Sequence, residues 1–98
     1  MAHDFKIKHK NNIDKAWFFG FANGLLYTTF NAIDCYAVFS GNGETIERSY
    51  DEVYAGLVHI INEIRSWYPD KSRADELAIF LEKMENHPHD SVYELTFC

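Results

Sequence analysis

Apolar and polar positions divide this chain into alternating stretches, which read as strands, and stretches with apolar spacings of three and four, which read as helices. Phe5, Ile7 and His9 alternate with Lys6, Lys8 and Lys10, predicting a strand with one wet face whose lysines guard a sheet edge. The run from Ala16 to Phe30 is the most apolar stretch, and Asn23-Gly24 within it is the dipeptide that a type I′ hairpin turn favours. Pairing outward from that turn sets Phe21 opposite Leu26, Phe19 opposite Thr28 and Trp17 opposite Phe30, leaving Phe18, Leu25 and Tyr27 on the second face. A competing reading makes residues 13–33 one helix, at a cost of about 2 kcal/mol for two glycines and an asparagine. The hairpin is therefore preferred. A second hairpin is expected from Cys35–Ser40 and Glu44–Arg48 around Gly41-Asn42-Gly43, with Phe39 opposite Ile46.

Helical spacing takes over at Ser49-Tyr50-Asp51-Glu52, a capping-box pattern. Val53, Leu57, Ile60, Ile61, Ile64 and Trp67 form an apolar stripe, with Glu52, Gly56, His59, Glu63 and Ser66 opposite it. Pro69 ends this helix by pushing Tyr68 out of α geometry. Ser72-Arg73-Ala74-Asp75 repeats the cap, and Ala74, Leu77, Phe80, Leu81 and Met84 predict a second helix ending near Asn86. Val92–Phe97 alternates as a last strand. The expected fold is one α+β domain over residues 1–98. It has an antiparallel sheet of five or six strands, made from two hairpins plus terminal strands, with two helices on one face.

Composition narrows the function more than the fold. With 47% hydrophobic residues and sixteen aromatics, 98 residues make a single core without disulfide or metal, which excludes a disordered chain. The net charge of -6 is uneven. Residues 1–33 carry four lysines against two aspartates, whereas residues 34–98 carry five basic and thirteen acidic groups. Such a surface repels nucleic acid and favours basic protein partners. Lysines followed by an apolar run have the outline of a signal or membrane span, but Asn23, Thr28, Thr29, Asn31 and Asp34 interrupt it. A cytoplasmic protein without membrane contact is expected. Cys35 and Cys98 form no Cys-x-x-Cys pair, so a reduced protein is the simplest reading, with a bridge between them left open.

No motif assigns chemistry. His59 and Glu63 lie four apart, but a metal site needs a third ligand that no His-Glu-x-x-His or cysteine pair supplies. His87 and His89 flank a proline and read as solvated loop residues. Gly41-Asn42-Gly43-Glu44 lacks the Lys and Ser/Thr of a phosphate loop. No catalytic residue, metal ligand or cofactor is assigned. The acidic groups Glu44, Glu47, Asp51 and Glu52, close in sequence to Tyr36, Tyr50 and Tyr54, are the expected partner-binding residues: aromatics give desolvated contact, and carboxylates steer a basic protein.

In size, acidity, aromatic content and lack of a catalytic motif, the chain resembles bacterial toxin-immunity proteins and phage-encoded inhibitors of host defence nucleases. The likeness is one of class, so no site residue carries over from it. It implies a small non-enzymatic binding protein that occludes a basic, nucleic-acid-processing partner. Two alternatives stand beside it: a small enzyme or ligand-binding domain using Cys35, His59 or Tyr27 in a pocket between sheet and helices, and a homo-oligomeric structural module.

Overall fold

The computed structural model describes residues 3–20, 22 and 24–98. Its elements in chain order are strands β1 (Phe5–His9) and β2 (Trp17–Phe19), helix α1 (Gly24–Thr29), a 3-10 turn at Ile33–Cys35, strand β3 (Thr45–Ser49), helices α2 (Tyr50–Trp67) and α3 (Ser72–Met84), and strand β4 (Val92–Phe97). The first and last strands pair at the centre of an antiparallel sheet of order β2-β1-β4-β3, with Phe5 opposite Phe97 and His9 opposite Tyr93. The expected α+β class and antiparallel sheet are present. Among the described residues, however, the sheet has four strands rather than five or six, and three helices rather than two accompany it.

The first expected hairpin does not form. Its turn residue Asn23 and the flanking Phe21 lie outside the described residues, but Gly24–Thr29, expected as the returning strand, is helical. Trp17 and Phe19 pair with Ile7 and Phe5 instead of with Phe30 and Thr28. Neither is 13–33 a single helix, since Trp17–Phe19 is a strand. Almost every residue of this run is apolar or small, so spacings of two and of three to four coexist in it. Leu26, Tyr27 and Phe30 fall at helical spacing and are buried together, and the Thr28 hydroxyl donates back to the Gly24 carbonyl at 2.9 Å.

The second expected hairpin is also replaced. Residues 36–44 form a loop whose only ladder contact is the Tyr36–Gly41 bridge, and Phe39, expected against Ile46, is 68% exposed. Ile46 lies opposite Leu95 of β4 instead. The loop has to cross the end of β4, where the Gly43 amide donates to the Phe97 carbonyl at 2.9 Å. Gly43 sits there at φ +79°, and a Cβ on Gly41 would collide with the Phe97 backbone.

The two long helices follow their sequence signals closely. Ser49 and Glu52 form both arms of the capping box, at 3.2 and 3.0 Å. Val53, Leu57, Ile60, Ile61 and Ile64 are buried, but Trp67, at the last position of α2, is 77% exposed. Gly56, expected on the polar side, is buried because the Phe30 ring packs on it; a Cβ there would come within 2.6 Å of that ring. Ser72 is not the cap of α3. It is the first helical residue, its amide donates to Asp70 Oδ1 at 2.9 Å, and Lys71 precedes it without a side-chain cap.

The core is aromatic at its centre: Phe5 stands 4.8 Å from Phe97, 5.7 Å from Phe30 and 5.9 Å from Phe19 between ring centroids. Phe80 of α3 meets Trp17, Phe19 and Tyr93 edge-on, which seats the helical layer on the sheet. The second face of the sheet is wet. Glu47 and Glu94 lie directly opposite each other there, and Lys10 and Lys8 offset the repulsion at 3.0 and 3.8 Å. Cys35 is buried, Cys98 is exposed, and both are free thiols. No helix among the described residues is long and apolar enough to cross a membrane.

Two substitutions test this architecture. Ser49→Ala is expected to lower unfolding free energy by about 1 kcal/mol through loss of the cap, measured by urea denaturation. Gly41→Ala is expected to cost roughly 1–3 kcal/mol, because fixed backbone rather than a flexible side chain stands in the way.

Candidate protein-binding site

The start of α2 is tied to the segment that enters β4 by one backbone bond, Tyr50 N–H to the Ser91 carbonyl at 2.9 Å. That bond brings Glu85, just past α3, and His89 alongside the first turns of α2. Together Tyr50, Asp51, Tyr54, Ala55, Glu85 and His89 line a groove of about 510 Å³. Tyr50 is only 5% exposed, and its ring lies nearly parallel to those of His89 (4.6 Å, 14°) and Tyr54 (5.9 Å, 17°). The Tyr54 hydroxyl donates to Glu85 Oε1 at 3.5 Å. The Tyr50 hydroxyl and the Asp51 carboxylate have no hydrogen-bond partner among the described residues. Burial pushes the Tyr50 phenol up, and Tyr54, Glu85 and Asp51 push it further, so it remains a neutral hydroxyl.

Comparison with protein-family models, curated proteins and solved structures finds no match to this chain. The groove is therefore interpreted from its own chemistry. Two carboxylates, two phenols and aromatic faces line it without a lysine or arginine, a set suited to a cation.

The seven residues expected to bind a partner do not form one surface. Tyr50, Asp51 and Tyr54 meet in the groove. Glu52 reaches back to the Ser49 amide, which lowers its pKa, and it lines a different cleft. Glu47 lies on the wet sheet face, paired with Lys10. Tyr36 stacks on His3 at 5.1 Å, beside Tyr27 and Phe97 at the opposite end of β4, about 20 Å of strand away. Glu44 belongs to that far end, where the loop carries Val38 and Phe39 at 75% and 68% exposure. Sequence reading missed the grouping of Glu85 and His89 with Tyr50. Its only local signal was an acidic and histidine-rich segment, and the return of the chain that juxtaposes them is a tertiary event.

The larger cleft, about 720 Å³, runs between Thr28–Asn31 and α2, with Arg48, Glu52, Gly56 and His59 on its walls. Arg48 donates to the carbonyls of Glu47, Phe30 and Asn31 at 2.7, 2.9 and 3.2 Å, so its guanidinium braces the chain beside β3. Cys35 and Tyr27 are buried away from His59, and burial raises the Cys35 thiol rather than activating it. Among the described residues no three His, Cys, Asp or Glu side chains are arranged to hold a metal ion.

A buried polar chain fixes the entrance to β4. Asp14 Oδ2 accepts from His87 Nε2 at 2.5 Å, and His87 Nδ1 lies within hydrogen-bond distance of the Tyr93 hydroxyl at 2.7 Å. Next to it, His9 Nδ1 accepts the Asn11 amide at 3.0 Å, so Nε2 donates to Ser91 Oγ at 2.8 Å. The Tyr93 phenol is pushed up to about 12 by burial. With Tyr93 and His87 closed to solvent, this chain positions segments rather than substrates.

Burial, then the neighbouring His87, lowers the pKa of His9 below its ordinary 6.5. The unfolded chain therefore binds a proton that the folded chain refuses. The stability His9 contributes is complete above 6.5 and is lost as pH falls from there through the depressed folded value. Asp14, lowered from 3.8 by its bond to His87, adds a second loss as pH falls through its own depressed value. Urea midpoints measured from about pH 8 to pH 5 should fall on acidification, and His9→Gln should flatten that slope.

Proposed function

We propose that this chain is a small acidic binding protein, an inhibitor of the toxin-immunity or antitoxin kind, that acts in the cytoplasm by covering the basic surface of a nucleic-acid-processing protein. The observation that carries this reading is the groove at the start of α2, whose lining is aromatic and acidic and contains no lysine or arginine. Carboxylates there take the place of substrate phosphates in the partner's cleft, while tyrosine rings supply the desolvated contact that gives such interfaces their strength. The excess of acidic residues beyond position 33 attracts such a partner from a distance, and it disfavours direct binding of nucleic acid. No step of this function requires a cofactor or a reaction at the site.

Exposed acidic residues that are already engaged make poor probes of it. Reversing Glu52 disturbs a helix cap, and reversing Glu47 disturbs a cross-strand ion pair. The sharper test is Asp51→Lys with Glu85→Lys. Wild-type chain is expected to capture a basic nuclease or toxin from its native host at low salt and to block that protein's activity on nucleic acid. The double variant should lose about two orders of magnitude in affinity, well beyond the roughly 0.3–1 kcal/mol of stability that reversing a first-turn charge of α2 costs. Full inhibition by the double variant, or capture of no basic protein, would sink the reading.

One observation favours a second reading, a homo-oligomeric module: the apolar loop tip at Val38 and Phe39 is uncovered. Sedimentation across a concentration series would show dimers, and Val38→Ser with Phe39→Ser would abolish them.

A further inference from the structure

We infer that the groove between the start of α2 and the end of α3 is an arginine pocket, taking one guanidinium group that a basic partner presents. The partner half of this inference rests on the function proposed above; the chemistry of the groove stands without it.

Three features of the groove define the ligand. Its charge is negative, because Asp51 and Glu85 both line it and no lysine or arginine does. Among the described residues its hydrogen-bonding capacity is unmet: the Asp51 carboxylate is unpaired, Glu85 takes one long bond on Oε1 and keeps Oε2 free, and the Tyr50 hydroxyl, which opens onto the groove from a residue only 5% exposed, has no partner. A ligand that only donates hydrogen bonds satisfies all of them, and guanidinium has five donors and no acceptor. Finally, the walls are flat. The rings of Tyr54 and His89 each lie within 17° of the plane of Tyr50, which suits a planar cation that stacks and forks to carboxylates. A compact, strongly hydrated ammonium gains less from such walls.

The Tyr50 hydroxyl, reaching the groove from a ring that is otherwise buried, separates this site from the other acidic surfaces. Glu47 faces Lys10, and Glu52, bonded to Ser49 through Oε1, shares its cleft with the cationic Arg48. Here an unpartnered polar group sits at the groove, and its electrostatic neighbours are Tyr54, Glu85 and Asp51 of the same lining.

The test is a heteronuclear NMR titration of the full chain with N-acetyl-arginine amide, its lysine counterpart and the neutral citrulline counterpart. The arginine derivative is expected to produce saturable shifts in the ring signals of Tyr50, Tyr54 and His89, in the millimolar range that a single side chain allows. Citrulline amide should produce none, and lysine amide should bind about tenfold more weakly. Asp51→Asn with Glu85→Gln should weaken arginine binding about tenfold or more, and Tyr50→Phe should weaken it with the charges intact. Equal binding of lysine and arginine, shifts centred elsewhere, or no saturable shift would overturn the pocket. If the arginine derivative binds but no basic protein is captured, the pocket stands and the inhibitor reading fails. If a basic nuclease is captured and the arginine derivative neither binds nor competes, the reverse holds.

Discussion

The pairing of β1 with β4 is the constraint on which the rest of this molecule depends. Residues near the two ends of the chain form the middle of the sheet, so every other element is placed relative to a contact more than eighty residues long in sequence. Phe5 and Phe97 meet across that pairing, and Phe19, Phe30 and Tyr27 pack around them. β2 and β3 then add to the outer sides, and the helical layer closes over the apolar face through Phe80. A contact of such separation carries a large closure cost before any local gain offsets it, which makes the aromatic centre a condition of folding rather than an ornament of it.

Local signals in the sequence were accurate where one element decides its own conformation. The capping box at Ser49 and Glu52, the stripe from Val53 to Ile64, the stop before Pro69 and the alternation in Val92–Phe97 all appear in the fold as the residue types imply. They failed where the partner lies far away. Asn23-Gly24 and Gly41-Asn42-Gly43 carry turn chemistry, yet Trp17–Phe19 and Thr45–Ser49 each found a better strand in β1 or β4 than in their sequence neighbour. An apolar run with so few polar positions cannot say which period it will adopt, and Gly24–Thr29 became helical when its burial required Leu26, Tyr27 and Phe30 on one side.

Charge was legible as a total and not as a surface. The sequence shows an acidic chain, but only the fold separates carboxylates that cap a helix or pair across strands from those left free in a cleft. Glu52, Glu47 and Asp51 look alike in one dimension; in three they have different neighbours and different availability. Tyr50 shows the same principle among the aromatics. Its value to the groove comes from a hydroxyl that opens onto the cleft from an otherwise buried ring, a condition no spacing rule detects.

The loop from Asp34 to Glu44 has a consequence of its own. Hydrogen bonds along its length hold it, among them Ala37 N–H to Ser40, Asn42 N–H to Cys35, Gly43 N–H to Phe97, the Asn42 amide group to Asp34, and Glu44 N–H to the Asn42 side chain. Val38 and Phe39 therefore stand in water on a backbone already fixed in place. An exposed apolar tip on a floppy loop would collapse onto its own protein or lose much of its contact energy to ordering, about 0.5–1.5 kcal/mol for each side chain immobilised. A braced tip avoids most of that loss, and in return it holds two apolar side chains permanently in solvent. The molecule carries a standing solubility penalty whose natural remedy is a second surface shaped to receive the tip.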